Sequence, residues 1–379
     1  MLDFTPIMRK KLSTLIICIA LLSGFTPARA EDALADASSL TAAVPASIFF
    51  PIFPEGAGDD TPPAYIPVAS NQPLDQTHPD VRRAVIIIHD FSRDASKSLS
   101  VLSTLASGAN DTTIIIAPQF LTQSDITRFA DHLPEKGRDF ARWSLAGWAS
   151  GEESVEVPGH KGISSFTTLD LLMMLLADRA NFPDLREIVL VGHGMGGDFV
   201  QRYAAVGRAP DIMAQQGLET GYIVANASSY LYLTGTRARG NKNGLGNTAG
   251  DACPHFNQWP YGLDALPPYA KHTGANAIKM TYPARRIIFI DGETAAQADP
   301  APDTSCGALV EGQDRVKRLI TYDGYIHTLY GAEIADNQRS VILSKAGFDA
   351  AATLGSPCGV SLWLDGQYDP KKCGAGLSE

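Results

Sequence analysis

The chain has 379 residues, 45% of them hydrophobic and 19% charged, with a formal net charge of −10 at pH 7. That acidic balance argues against nucleic acid or an anionic membrane surface as a partner, because both need a basic face. The length admits one large α/β domain with insertions as readily as two domains, and it suffices for an extensive core.

The first thirty residues read as a signal peptide. Arg9, Lys10 and Lys11 form a basic start, Leu12 to Leu22 an apolar run too short to span a membrane, and Ala28-Arg29-Ala30 a cleavage site. Cleavage after Ala30 leaves 349 residues; because the leader holds four basic groups and one acid, the charge moves from −10 to −13. The mature chain is expected to be soluble, without a membrane span, in the periplasm or the medium. Cys18 leaves with the leader, and Cys253, Cys306, Cys358 and Cys373 remain. An even count in an exported chain reads as two disulfides of three possible connectivities, against the plainer alternative of four buried thiols. No C-x-x-C pair occurs, so a zinc site is not expected, and no cofactor is expected either.

Residues 31–63, rich in Ala, Pro, Ser and Asp, read as a flexible lead-in, and 64–379 as the folded domain. Tyr65 to Val68 is expected as a first, edge strand. Ala84 to Ile88 and Thr113 to Ile116 are continuous β-branched runs, the mark of parallel strands covered on both faces, with a helix between them over Ser98 to Ala106. Residues 134–161 are irregular. Phe166, Leu169, Leu172, Met173 and Leu176 then recur at helical spacing, as one apolar face whose methionines fill core. Further strands follow at Glu187 to Val191, Tyr222 to Ala225, Arg286 to Ile290 and Ser340 to Leu343. The alternation predicts an α/β fold with a mostly parallel, doubly wound sheet. Residues 230–283, dominated by Gly, Asn, Pro and aromatics, are too long for an ordinary connection and are expected as a lid or side wall.

The chemistry centres on Val191-Gly192-His193-Gly194-Met195-Gly196-Gly197, where a strand meets a helix across a tight glycine turn. Gly192-x-Gly194-x-x-Gly197 also satisfies the dinucleotide fingerprint. That reading needs an acid about twenty residues on at the end of the next strand, where Asn226 stands, and it belongs on a first βαβ unit rather than a third. It ranks behind the alternative, a nucleophile elbow of Gly-x-Ser-x-Gly type with glycine in place of serine at 194. Such a nucleophile sits in strained backbone, a cost of about 1–3 kcal/mol that glycine relieves.

Residues 191–203 resemble the Gly-His-Ser-x-Gly-Gly elbow and following helix of secreted α/β-hydrolases related to lipases, esterases and polyhydroxyalkanoate depolymerases. The resemblance extends over roughly residues 80–375. It includes His89-Asp90-Phe91-Ser92-Arg93-Asp94, similar to that group's His-Gly-x-x-Arg-Asn oxyanion loop, and Asn226-Ala227-Ser228, Trp259-Pro260-Tyr261-Gly262 and Ser305-Cys306-Gly307. It implies an α/β-hydrolase fold, a pocket formed by His89, Asp90, Phe91, His193 and Met195, and disulfides Cys253–Cys306 and Cys358–Cys373. It also places the triad at Gly194, Ala295 and Phe348, none of which carries the expected side chain.

Two points need no resemblance. Between Phe166 and Ala227 there is no serine or cysteine, and after His327 no histidine, so neither a nucleophile near the turn nor a base after the last strand is available. His193, Asp291 and Glu293 are the nearest substitutes, and Asp90 would set negative charge against an oxyanion hole. Trp143, Trp148, Trp259 and Tyr261 either line a cleft or pack, and His255 and His272 lack metal spacing. The expected function is that of a non-catalytic pseudo-hydrolase holding a small-molecule or acyl ligand. The alternative is an active hydrolase of carboxylic esters or acyl polymers using displaced residues.

Overall fold

The computed structural model describes residues 43–377 apart from 107, 110, 160, 240, 241 and 247–252, so the signal-peptide reading lies outside the described residues. In chain order the elements begin β1 (Ile48–Ile52), β2 (Ala64–Ser70), β3 (Arg83–Ile88), α1 (Ala95–Leu105), β4 (Thr113–Pro118), α2 (Gln123–Arg128) and α3 (Ser165–Leu176). The centre follows with β5 (Glu187–His193), α4 (Met195–Val206), α5 (Ala209–Gln215), β6 (Glu219–Ala225), and the hairpin of β7 (Arg237–Arg239) with β8 (Lys242–Gly246). After it come α6 (Pro268–Thr273), α7 (Ala275–Thr281), β9 (Arg286–Gly292), α8 (Cys306–Leu309), α9 (Arg315–Tyr330) and β10 (Gln338–Leu343). Three short helices close the chain: α10 (Ala350–Leu354), α11 (Pro357–Trp363) and α12 (Pro370–Cys373).

Why the central strands read as unbroken apolar runs is visible in their two faces. Along β3, Ala84, Ile86 and Ile88 enter one core cluster with α3 and α4, while Val85 and Ile87 enter a second with Ala95 and Leu102 of α1 and Trp363 of α11. Successive side chains point to opposite faces, so a strand covered on both sides can spare no polar position. Eight strands form the sheet in the order β1-β2-β4-β3-β5-β6-β9-β10. Strands β3 to β10 of that sheet run parallel, and β1 and β2 join antiparallel at one margin. The order places β5, with the glycine turn at its end, in the middle of the sheet.

Several expectations need correction. The lead-in is not all irregular, because Ile48–Ile52 inside it forms β1, with Phe50 opposite Ile66 on β2. Phe50 and Ile52 are buried while Ile48 and Phe49 are half-buried, a weak alternation masked by Pro51, which an edge strand tolerates because it lacks one ladder partner. The strand expected at Tyr65 to Val68 is therefore second from the edge, not the edge. Helix α3 is not one-faced, since every residue from Ser165 to Leu176 except Asp170 is buried.

The described residues of the segment 230–283 pack as a side wall. Tyr230 to Leu233 are fully buried, Tyr230 stacks on Tyr322 of α9 at 4.6 Å, and the Trp259 indole N–H donates to the Ser150 carbonyl at 2.8 Å. Cys253–Cys306 ties this wall to α8, and Cys358–Cys373 joins α11 to α12, the pairing that the resemblance implies. Among the described residues no helix is long and apolar enough to cross a membrane.

Candidate functional site

At the carboxyl end of β5 the chain turns through Gly194, whose φ of 59° and ψ of −123° lie where a side chain is strained, and enters α4 at Met195. Close packing explains a second glycine of the turn. A Cβ at Gly196 would stand 2.2 Å from the Ile88 carbonyl oxygen, so the helix can press onto β3 only without one. Gly194 itself donates its N–H to Ala225 at 2.9 Å, which fixes the turn against β6.

The loop after β3 is braced by two buried groups. His89 lies on Trp148, with ring centroids 4.6 Å apart; its Nδ1 meets the Asp90 carbonyl at 2.9 Å and its Nε2 accepts the Phe120 N–H at 3.0 Å. These partners assign the proton to Nδ1. Burial lowers the His89 pKa to about 4, so the ring stays neutral and both nitrogens are committed to the backbone. Arg93, at φ 54°, holds Asp125 through two bonds of 2.7 and 2.9 Å and donates to the Phe91 carbonyl at 2.7 Å. Trp143 and Trp148 are core residues here, at 2% and 0% exposure, which settles packing over cleft lining for both.

Between these braces the Asp90 side chain turns inward onto the elbow. Its Oδ1 accepts the N–H of Met195 at 2.9 Å, and a Cβ built on Gly194 would stand 2.1 Å from that oxygen. A carboxylate thus occupies the space above residue 194 and the first free N–H of α4. It also serves as the cap that Gly194 cannot supply, at the partially positive end of the helix.

His193 is buried beside the turn, and burial lowers its pKa. Its Nε2–H donates to the Phe348 carbonyl at 2.5 Å, with the two rings 4.8 Å apart. Phe348 therefore reaches the flank of the elbow, and its carbonyl also receives Asn226 Nδ2 at 3.3 Å. Asn226 closes the constellation by accepting the Gly292 N–H at 2.9 Å, joining the ends of β6 and β9 to the loop after β10.

No acid stands at Ala295, which is fully buried at the start of a single 3-10 turn. Of the nearby carboxylates, Glu293 is exposed and Asp291 fully buried at the end of β9. Where a charge does gather is beneath Phe348. Arg315, at the start of α9, binds both oxygens of Asp299 at 2.5 and 2.8 Å, donates to the Asn226 carbonyl at 2.5 Å, and sets its guanidinium 4.6 Å from the Phe348 ring centre. Sequence reasoning missed Arg315 altogether, for its partners lie 16 and 89 residues away and a lone basic residue opening a helix carries no spacing signal.

Burial pushes the Asp291 carboxyl up to about 7, against the pull of Arg315. The folded value exceeds the unfolded one near 3.9, so the fold favours the protonated form. The contribution of Asp291 to stability is therefore full below about pH 4, declines as pH rises towards 7, and levels off above it, a span of about 4 kcal/mol at most. Asp291→Asn is expected to flatten this slope and to raise the urea midpoint at pH 8 relative to wild type. An unchanged profile between pH 4 and 8 would show that Asp291 is not the group responsible.

Beside the elbow runs a groove of about 310 Å³, whose walls include Asp90, Phe91, Lys97, Val101, His193 and Phe348. Its members come from β3 and the loop after it, α1, β5, Pro300 beyond β9, the loop after β10 and the start of α10. His255 and His272 are exposed, and among the described residues no group of three His, Cys, Asp or Glu side chains could hold a metal ion.

A mostly parallel sheet of this order, turned at its centre through a positive-φ residue into a helix, defines an α/β-hydrolase scaffold. Solved structures share it. The poly(3-hydroxybutyrate) depolymerase LpqC from Bordetella parapertussis superposes with a TM-score of 0.53 at 17% identity, over 86% of this chain and 92% of that one. Poly(aspartic acid) hydrolase-1 from Sphingomonas sp. KT-1 gives 0.50 at 17% identity, over 82% and 96%. No protein-family model and no curated protein sequence matches the chain.

Proposed function

We propose that this is an exported α/β-hydrolase-fold protein without a working triad, a pseudo-hydrolase whose groove beside the elbow binds a small-molecule or acyl ligand. The observation that carries the reading is the Asp90 carboxylate seated over Gly194 on the Met195 N–H. An oxyanion hole must offer its N–H to negative charge developing on the substrate, and here a fixed negative charge already takes it. The other two triad positions, Ala295 and Phe348, point the same way: one offers a methyl group and the other an aromatic ring held by Arg315. Loss of triad members lowers turnover by a factor of about 10⁶, and the residual ~10³–10⁴ over water comes from the oxyanion hole and binding. With that hole filled, even the residual is expected to shrink.

Export is supported by the leader pattern and by two disulfides. The test of the catalytic reading is direct. Purified protein is expected to hydrolyse short-chain p-nitrophenyl esters no faster than buffer and to take no label from a serine-directed phosphonate. Turnover well above buffer that co-purifies with the protein, or stoichiometric labelling, would instead establish a hydrolase using displaced residues.

A further inference from the structure

A second hollow lies away from the elbow, towards the amino ends of the parallel strands, on the face of the sheet that carries α1 and α11. Gly221 of β6 forms its floor. The strand is regular there, with Gly221 opposite Val189 on β5 and Arg286 on β9, and the φ of Gly221 is not in the left-handed region. Among the described residues, the atom nearest to a Cβ built on Gly221 would be Glu187 Oε1 at 3.9 Å. Neither a bulge, nor a strained turn, nor close packing therefore asks for glycine, which weakens a strand and often marks the approach of a ligand. Above it is a cavity of about 150 Å³. Val189, Ile223 and Leu362 of the core on this face line it, together with Ile288 and Tyr368 packed against them.

Charge at the rim is already balanced. The Arg286 guanidinium donates to Glu219 and, at 3.4 Å, to Glu187, while that of Arg339 stands 4.8 Å from the centre of the Tyr368 ring. A guanidinium paired at its edge keeps a flat cationic face, which attracts the negative face of an aromatic ring. An apolar cavity of this size is also about what one benzene-like ring fills. We propose that the hollow over Gly221 is a binding site for a small neutral aromatic compound of the phenol class. The ring lies on the bare backbone of β6 between Val189 and Ile288, with Arg286 beside it. An anionic ring is disfavoured, because Glu187 and Asp336 stand on the rim and the edge of Arg286 is taken. The site is separate from the groove beside Gly194, at the other end of β5, so it stands or falls independently of the non-catalytic reading.

The test titrates phenol into wild type and Gly221→Val by calorimetry, while following the Val189, Gly221 and Ile223 amides in ¹⁵N-labelled protein; benzoate and cyclohexanol serve as comparison ligands. Wild type is expected to bind phenol in the millimolar range, about what a single ring reaches, with all three amides shifting. Gly221→Val puts two methyl groups into the hollow and should weaken phenol binding at least about tenfold, while melting no lower than wild type because valine suits a strand. Benzoate and cyclohexanol should each bind wild type about fivefold or more weakly than phenol, the one for its charge and the other for want of a ring face. Amides that stay still at about 10 mM phenol would overturn the proposal. So would undiminished affinity in Gly221→Val, or equal affinity for benzoate or cyclohexanol. Should Gly221→Val fold poorly, Gly221→Ala, whose one methyl also enters the hollow, is read by the same criteria with a smaller loss expected.

Discussion

Gly194→Ser alone is expected to produce no hydrolysis of p-nitrophenyl butyrate above buffer and to lower the melting temperature by about 5–10 °C. The backbone at 194 is already that of a nucleophile elbow, so the serine would not need to rebuild the turn. It would, however, take on the strain that glycine avoids, about 1–3 kcal/mol. Its Cβ would also meet Asp90 Oδ1 at 2.1 Å and force that carboxylate off the Met195 N–H. A charged hydrogen bond worth about 1.5–3 kcal/mol would then be lost or distorted. The hydroxyl, once placed, would find no base, because Phe348 stands where the loop after β10 reaches the elbow and His193 gives its Nε2 proton to a carbonyl.

Combining Gly194→Ser with Asp90→Gly, Ala295→Asp and Phe348→His removes these obstacles together. The combined variant is expected to exceed the single one by at least about a hundredfold, the lower end of what a positioned general base supplies. It should still fall short of a natural enzyme, because the Arg315 guanidinium, 4.6 Å from the Phe348 ring, would oppose the imidazolium that forms during acylation. Esterase activity in Gly194→Ser by itself would show that a base has been overlooked. Silence in the combined variant would show that Ala295 and Phe348 are not the triad positions.

The strands were legible where burial on both faces left no room for polar residues, as in Ala84 to Ile88. β1 was not, because five residues with a proline among them carry a period too short to stand out from a Pro- and Ala-rich stretch. The helical spacing of Phe166 to Leu176 identified α3 but not its surroundings, since the residues between the apolar positions are buried as well. At the site, the motif around Gly194 could be read because a tight strand-to-helix turn constrains neighbouring residues in sequence. Asp90 could be singled out as a departure from a glycine, and its negative charge anticipated, but not its seat on Met195, a contact across 105 residues. Arg315, Asn226 and Asp299 converge only after folding; Asn226 stood out at a strand end, but nothing local distinguishes Arg315 or Asp299 from an ordinary surface polar residue.

That convergence makes Arg315 a position where a single change should cost the fold heavily. Its side chain is 1% exposed, and it is the charge partner of Asp299, itself only 7% exposed. Arg315→Met keeps much of the aliphatic length but leaves Asp299 without its bidentate partner, the Asn226 carbonyl without its donor, and the Phe348 ring without the cation beneath it. Breaking a buried pair by removing one member costs about 3–5 kcal/mol, since the surviving charge stays buried and uncompensated. Urea denaturation at pH 7 is expected to register a loss of that size, and Arg315→Lys a smaller one, because an ammonium keeps the charge without the planar fork. The double variant Arg315→Met with Asp299→Asn should recover part of the loss, which separates the ion pair from simple packing. A double variant as unstable as the sum of the singles would mean that Arg315 acts through Phe348 and Asn226 alone. In that event the Arg315–Asp299 ion pair would contribute nothing of its own to the stability of the loop after β10.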